Sequence, residues 1–212
     1  MQRKHPPPTE HSQQVRDLLR KYACPVPYHE VRTRFLGNIA TPKLSASNIA
    51  KGLWGGAFPE VGSIEDLNRL IDALINGLWN ALTIHQKRGE PFRLVKVPVE
   101  PSVANLARLT LTRRQELDGF VEGLFDGTEA IDLPERANAA MGALAEMRAI
   151  MGGAHDFATR SVEPADPAQA TFRHLRELTR IMEREINTVV LDCTRARRQM
   201  IREATARTPT FH

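Results

Sequence analysis

The chain is poor in the residues from which compact catalytic and metal centres are most often built. Only two cysteines, Cys24 and Cys193, stand in 212 residues. Two thiols cannot make a disulfide framework, and at that separation they form no CxxC-type zinc site. No apolar run approaches the ~18 residues of a membrane span. The opening segment MQRKHPPPTEH is polar and Pro-rich, without the apolar core of a signal peptide. These absences predict a cytoplasmic location and no membrane contact. A Walker loop, a dinucleotide fingerprint, G-x-S-x-G and H-E-x-x-H are all missing. No catalytic residue, metal ligand or cofactor is therefore assigned, and an enzyme is the less favoured reading.

What is present is helical pattern. Hydrophobic residues are 42% and charged residues 25%, an ordinary balance for a chain that can bury a core. Residues 1–11 are expected to be a disordered tail. Val15, Leu18 and Leu19 then share one helical face, and Val31, Phe35, Leu36 and Ile39 form a second stripe. A short helix over 47–54 should end on the left-handed backbone of Gly55-Gly56. Ser63 and Asp66 have capping-box spacing. They open a helix in which Leu67, Leu70, Ile71, Leu74, Ile75, Leu78 and Leu82 recur at three-and-four spacing. The run PFRLVKVPVEP alternates like a strand, but its prolines bar it from a central ladder. It reads as an extended connector, with helix resuming at Thr112 and ending at Gly127. Asp132 should cap the next helix, which runs to Gly152-Gly153. Trp54 and Trp79, on helical stripes, read as core. The fold class expected is all-α: a compact multi-helix domain over 12–151, a linker over 152–165, and one long basic amphipathic helix over 166–208.

That last helix is the most distinctive element. Asp166 and Gln169 form a capping pair around Pro167, and no Gly or Pro follows until Pro209. Some 40 residues span roughly 60 Å, more than the roughly 45 Å diameter of a compact chain this long. Phe172, Thr179, Ile186, Cys193 and Met200 step by seven, as do Leu175, Met182, Val189 and Ala196. This a/d seam predicts docking along the body, self-association, or capture of another protein. Residues 171–207 hold nine arginines and five acids, so the whole net charge of +4 lies here. Arg195, Arg198 and Arg202 occupy the face opposite the seam, and with Arg197 they form the candidate anion-binding set. No aromatic residue interleaves with them, which removes a base-stacking platform but leaves backbone contact with a duplex.

One constellation suggests chemistry. His155-Asp156 is an HD dipeptide, and with His85, Asp166 or Asp192 it has the residue types of a His-Asp metallophosphohydrolase. Its Gly-Gly context predicts a loop pair instead.

Four segments carry a family resemblance: RFLGNIATP (34–42), SNIAKGLWGGAFPEVGSIEDL (47–67), LWN (78–80) and LDGFVEGL (117–124). Together they resemble the YecA-like (YgfB-type) bacterial proteins over about residues 28–127. The resemblance implies an all-α fold without assigned catalytic activity, and an interaction or adaptor role. The chain departs from that pattern at Arg34, Ile49, Lys51 and Glu116, and it lacks the cysteine-rich zinc tail of many members. The expected function is a non-enzymatic protein-interaction or adaptor protein, self-associating through the seam as a homo-oligomer or holding another protein. The alternatives are a nucleic-acid-associated regulator and the His-Asp hydrolase.

Overall fold

The computed structural model describes residues 8–42, 45–97, 100, 102–160 and 168–207. Every regular element among them is helical. They are α1 (Pro8–Lys21), α2 (Tyr28–Ala40), α3 (Ala46–Gly52), a composite α4, α5 (Val103–Phe125), α6 (Glu135–Arg160) and α7 (Ala168–Arg207). Helix α4 opens as an α-helix over Ile64–Ile71 and widens into a π-helical stretch over Asp72–Trp79. It returns to α over Asn80–Leu82 and closes on a 3₁₀ turn over Thr83–Gln86. The all-α body with one long C-terminal helix is as the periodicity predicted.

Local chemistry sets most boundaries. The Ser63 hydroxyl accepts from the Asp66 N–H at 3.1 Å, and Gly55 and Gly56 take φ of +80° and +110°. Helix α5 starts at Val103 rather than Thr112, because Ser102 accepts from the Asn105 N–H at 3.2 Å. Pro134, not Asp132, borders α6: its carbonyl receives the Asn138 N–H at 2.9 Å. Helix α6 also runs through Gly152-Gly153 to Arg160, where a linker was expected. Met151 and Ala158 stay buried there, and that burial outweighs the ~1 kcal/mol cost of each helical glycine. Residues 8–11 belong to α1 rather than to a tail. The remaining tail residues 1–7, the rest of the linker, and the Asp166–Pro167 cap lie outside the described residues.

The core is organised by α2 and α5, which run parallel and unusually close. His29 meets Gln115, Arg34 meets Glu122, and Asn38 meets Asp126 along their length. Glycine permits the approach. A Cβ on Gly123 would overlap the carbonyl oxygen of Arg34 and lie 2.7 Å from its carbonyl carbon. One on Gly37 would overlap the Phe120 carbonyl oxygen. Arg34, almost wholly buried, sits at this crossing. It donates to the Gly52 carbonyl of α3 at 3.3 Å and pairs with Glu30 and Glu122.

The connector after α4 has its backbone held by side chains from neighbouring helices. Phe92 exchanges both backbone hydrogen bonds with the Asn187 side chain, at 2.8 and 3.0 Å. The Leu94 N–H donates to Glu183 at 3.0 Å, and the Val95 N–H donates to Glu116 at 2.9 Å. Arg113 donates to the Val95 carbonyl at 2.8 Å and forms a buried ion pair with Glu116. Side chains of α5 and α7 thus satisfy the polar backbone that a neighbouring strand would otherwise satisfy. Burial pushes the Glu116 carboxyl up, while Arg113 and the Val95 N–H pull it back.

Helix α7 lies antiparallel to α6, with Arg136 near the start of α6 paired to Asp192 at 3.6 Å. Its seam is spent on its own chain. Phe172, Leu175, Met182, Ile186, Val189 and Cys193 are all buried in the shared core. Thr179, the one polar seam position, accepts from Arg113 Nε at 3.3 Å. Burial, then the Asp192 carboxylate, push the Cys193 thiol up to about 11, so it is a neutral core group. Ala196 is half-buried, and from Arg198 to Ala206 the side chains are exposed. Among the described residues, no helix is long and apolar enough to cross a membrane.

Candidate anion-binding groove

The arginines after Cys193 divide between two tasks, and helical geometry assigns them. A rotation of about 100° per residue separates Arg197 from Arg198. Arg197 turns toward the body and donates to the Ile39 and Thr41 carbonyls at 2.9 and 2.7 Å, and to the Gln86 side chain at 3.4 Å. These carbonyls lie at the C-terminal end of α2, where helix geometry leaves acceptors unpaired and the macrodipole favours a cation. Arg197 therefore closes α2 from a distant element and leaves the anion-binding set. Burial and the neighbouring Arg198 pull its pKa down.

Arg195, Arg198 and Arg202 face the other way, into a groove of about 640 Å³. The segment just after α4 contributes Lys87 and Arg88, and α6 contributes Arg136. Six cations therefore face one carboxylate, Asp192. That carboxylate is engaged by Arg136 at 3.6 Å and Arg195 at 3.3 Å. Lys87, Arg88, Arg198 and Arg202 make no ion pair with any described residue. Thr194 also lines the groove, and its buried hydroxyl has no partner among the described residues. Midway along α7 the pairs are different: Arg180 pairs with Glu177, Arg184 with Glu185, and Glu183 with Arg93.

The sequence pattern found three of these six cations. Lys87 and Arg88 follow a helix end in an unremarkable polar stretch, and Arg136 lies nearly 60 residues before Arg195 on another helix. No local spacing links them, because the fold alone brings them together.

The HD dipeptide is placed differently from the expectation. His155 lies inside α6 rather than in a loop, and its Nδ1 donates to the Ala107 carbonyl at 3.1 Å. Asp156 is exposed on the same helix. His85 Nδ1 donates to the Glu90 carbonyl at 2.8 Å, and Asp192 belongs to the groove pairs. Asp166 lies outside the described residues. No group of three or more His, Cys, Asp or Glu side chains among the described residues is arranged to hold a metal ion. Both tryptophans are half-buried structural groups. Trp54 donates to the Tyr22 carbonyl at 2.9 Å, and Trp79 donates to Asn38 at 3.3 Å.

Comparison of the chain with protein-family models, with curated proteins and with solved structures finds no match.

Proposed function

We propose that this chain is a non-enzymatic binding protein whose groove holds the phosphate backbone of a nucleic acid. The observation that carries this reading is the set of four unpaired cations, Lys87, Arg88, Arg198 and Arg202, gathered around one already neutralised carboxylate. Like charges held together repel, and a polyanion relieves that repulsion while releasing counterions. The groove has no aromatic lining, so recognition is of backbone rather than of stacked bases. The resemblance to the YecA-like proteins supports the non-enzymatic part of the reading.

The test is fluorescence anisotropy with a labelled DNA duplex over a range of salt. Affinity should fall steeply as salt rises, and Arg198→Glu with Arg202→Glu should abolish binding. Arg197→Ala should instead lower the melting temperature and leave duplex binding nearly unchanged. Salt-insensitive or absent binding overturns the proposal. Equal competition by polyglutamate would assign the groove to an acidic protein.

Self-association is a second reading, now confined to the free end of α7. Met200 is 52% exposed and Ile201 59% exposed, two large apolar side chains that the body does not cover. Light scattering should give a mass above the monomer for the full chain. The doubly substituted chain carrying Met200→Ser and Ile201→Ser should scatter as a monomer. A monomeric mass for the unaltered chain ends this reading.

A further inference from the structure

A second cavity, of about 710 Å³, lies between α1, α2 and the π-helical part of α4. Its size suits a small organic ligand, and its wall is largely apolar, with Leu78, Leu82 and Ile84 along one side. The π-helical stretch contributes Gly77, and the absence of a Cβ there makes room for the imidazole of His11 from α1. The buried Nε2 of that ring has no partner among the described residues.

One charged group faces this apolar space. Arg32 of α2 stacks on the Phe92 ring at 4.8 Å and donates to the Arg93 carbonyl at 3.3 Å. No carboxylate among the described residues pairs with it. The nearby Glu116 is already taken by Arg113 and by the Val95 N–H. His85 meets the same Phe92 ring in a T-shaped contact, with centroids 5.3 Å apart, so Phe92 supports two of the polar side chains that line the cavity. Desolvation lowers the Arg32 pKa, as expected for a guanidinium held partly out of water without a counter-ion.

The geometry points to a binding site for a small amphipathic carboxylate, with its apolar chain along Leu78, Leu82 and Ile84 and its carboxylate against Arg32. Charge complementarity selects this occupant: a neutral apolar molecule would leave the half-buried guanidinium uncompensated, whereas a carboxylate can accept two parallel hydrogen bonds from it. The site is separate from the groove on α7, and its test is independent of nucleic-acid binding.

The experiment is calorimetric titration of the full chain with octanoate and, separately, with 1-octanol. Methyl NMR of Leu78, Leu82 and Ile84 reports where each probe binds. Octanoate should bind saturably, at least about tenfold more tightly than 1-octanol, a ratio worth one charge-assisted contact. Arg32→Gln should remove that difference. Ala81→Trp, at an exposed position on the cavity wall, should block both probes while the protein melts as before. The octanoate-to-octanol ratio and the blocking variant decide the matter even if Arg32→Gln fails to fold. The proposal is overturned by the absence of saturable octanoate binding, by equal affinity for the two probes, or by binding that survives Ala81→Trp.

Discussion

Replacing Gly123 with alanine should destabilise the fold by about 3 kcal/mol or more, the upper range for overpacking a tight interior. The added methyl would overlap the carbonyl oxygen of Arg34. That oxygen belongs to the backbone of a helix, so no side-chain rotation can move it away. Relief requires α2 and α5 to separate, which loosens the packing around Phe35, Leu36, Phe120 and Leu124, all fully buried. Separation would also pull Arg34 from Glu122. Gly142→Ala is the matched control. It too is a helical glycine, but nothing lies within 4 Å of the place its Cβ would take. Alanine there should stabilise α6 by about 0.5–1 kcal/mol through helix propensity. Urea unfolding of the two variants checks both signs, and a Gly123→Ala protein as stable as the parent would refute the close-crossing account.

Glu116→Ala should cost about 3–5 kcal/mol, the penalty for stripping one partner from a buried ion pair. Glu116 is fully buried and Arg113 nearly so. Truncation would leave the guanidinium without its counter-charge and the Val95 N–H without its acceptor. Against a typical total stability of about 5–15 kcal/mol, the loss would be severe. Glu116→Gln keeps an oxygen for the Val95 N–H and loses only the charge, so it should fall between parent and alanine variant. Pairing Arg113→Met with Glu116→Leu should recover only part of the stability. The double change removes the buried charges but leaves the Val95 N–H and carbonyl unsatisfied. Chemical denaturation of the parent, the Arg113→Met and Glu116→Leu single variants and their double variant measures the coupling. Additive single effects at this site would mean that Arg113 and Glu116 do not interact, contrary to the buried pair the structure shows.

The two sites behave differently as sequence. Glycines inside helices read as a local cost of roughly 1 kcal/mol each, and nothing in RFLGNIATP or LDGFVEGL says that Gly37 and Gly123 repay it by letting two backbones meet. Glu116 reads as one more polar residue on a helix until Val95 and Arg113 are seen around it. Both depend on segments brought together from distant parts of the chain, which a local pattern does not encode.

Periodicity is local, and the sequence by itself determined what periodicity can. The three-and-four spacing of apolar residues established an all-α chain. Ser63, Gly55 and Gly56 marked real boundaries, and the seven-residue steps from Phe172 to Cys193 marked the face of α7 that is buried. The same pattern could not say what buries it, since an a/d seam satisfies a second chain or its own body equally well. Tertiary structure chose the body, and it also set the polar details. Thr179 meets Arg113, Asn187 meets the backbone of Phe92, and Arg197 is drawn to the carbonyl end of α2 while Arg198 faces the groove. Adjacent arginines of the same chemistry thus took opposite roles, because a helix turns successive side chains about 100° apart and only the packed body decides which direction holds carbonyls and which holds an open groove.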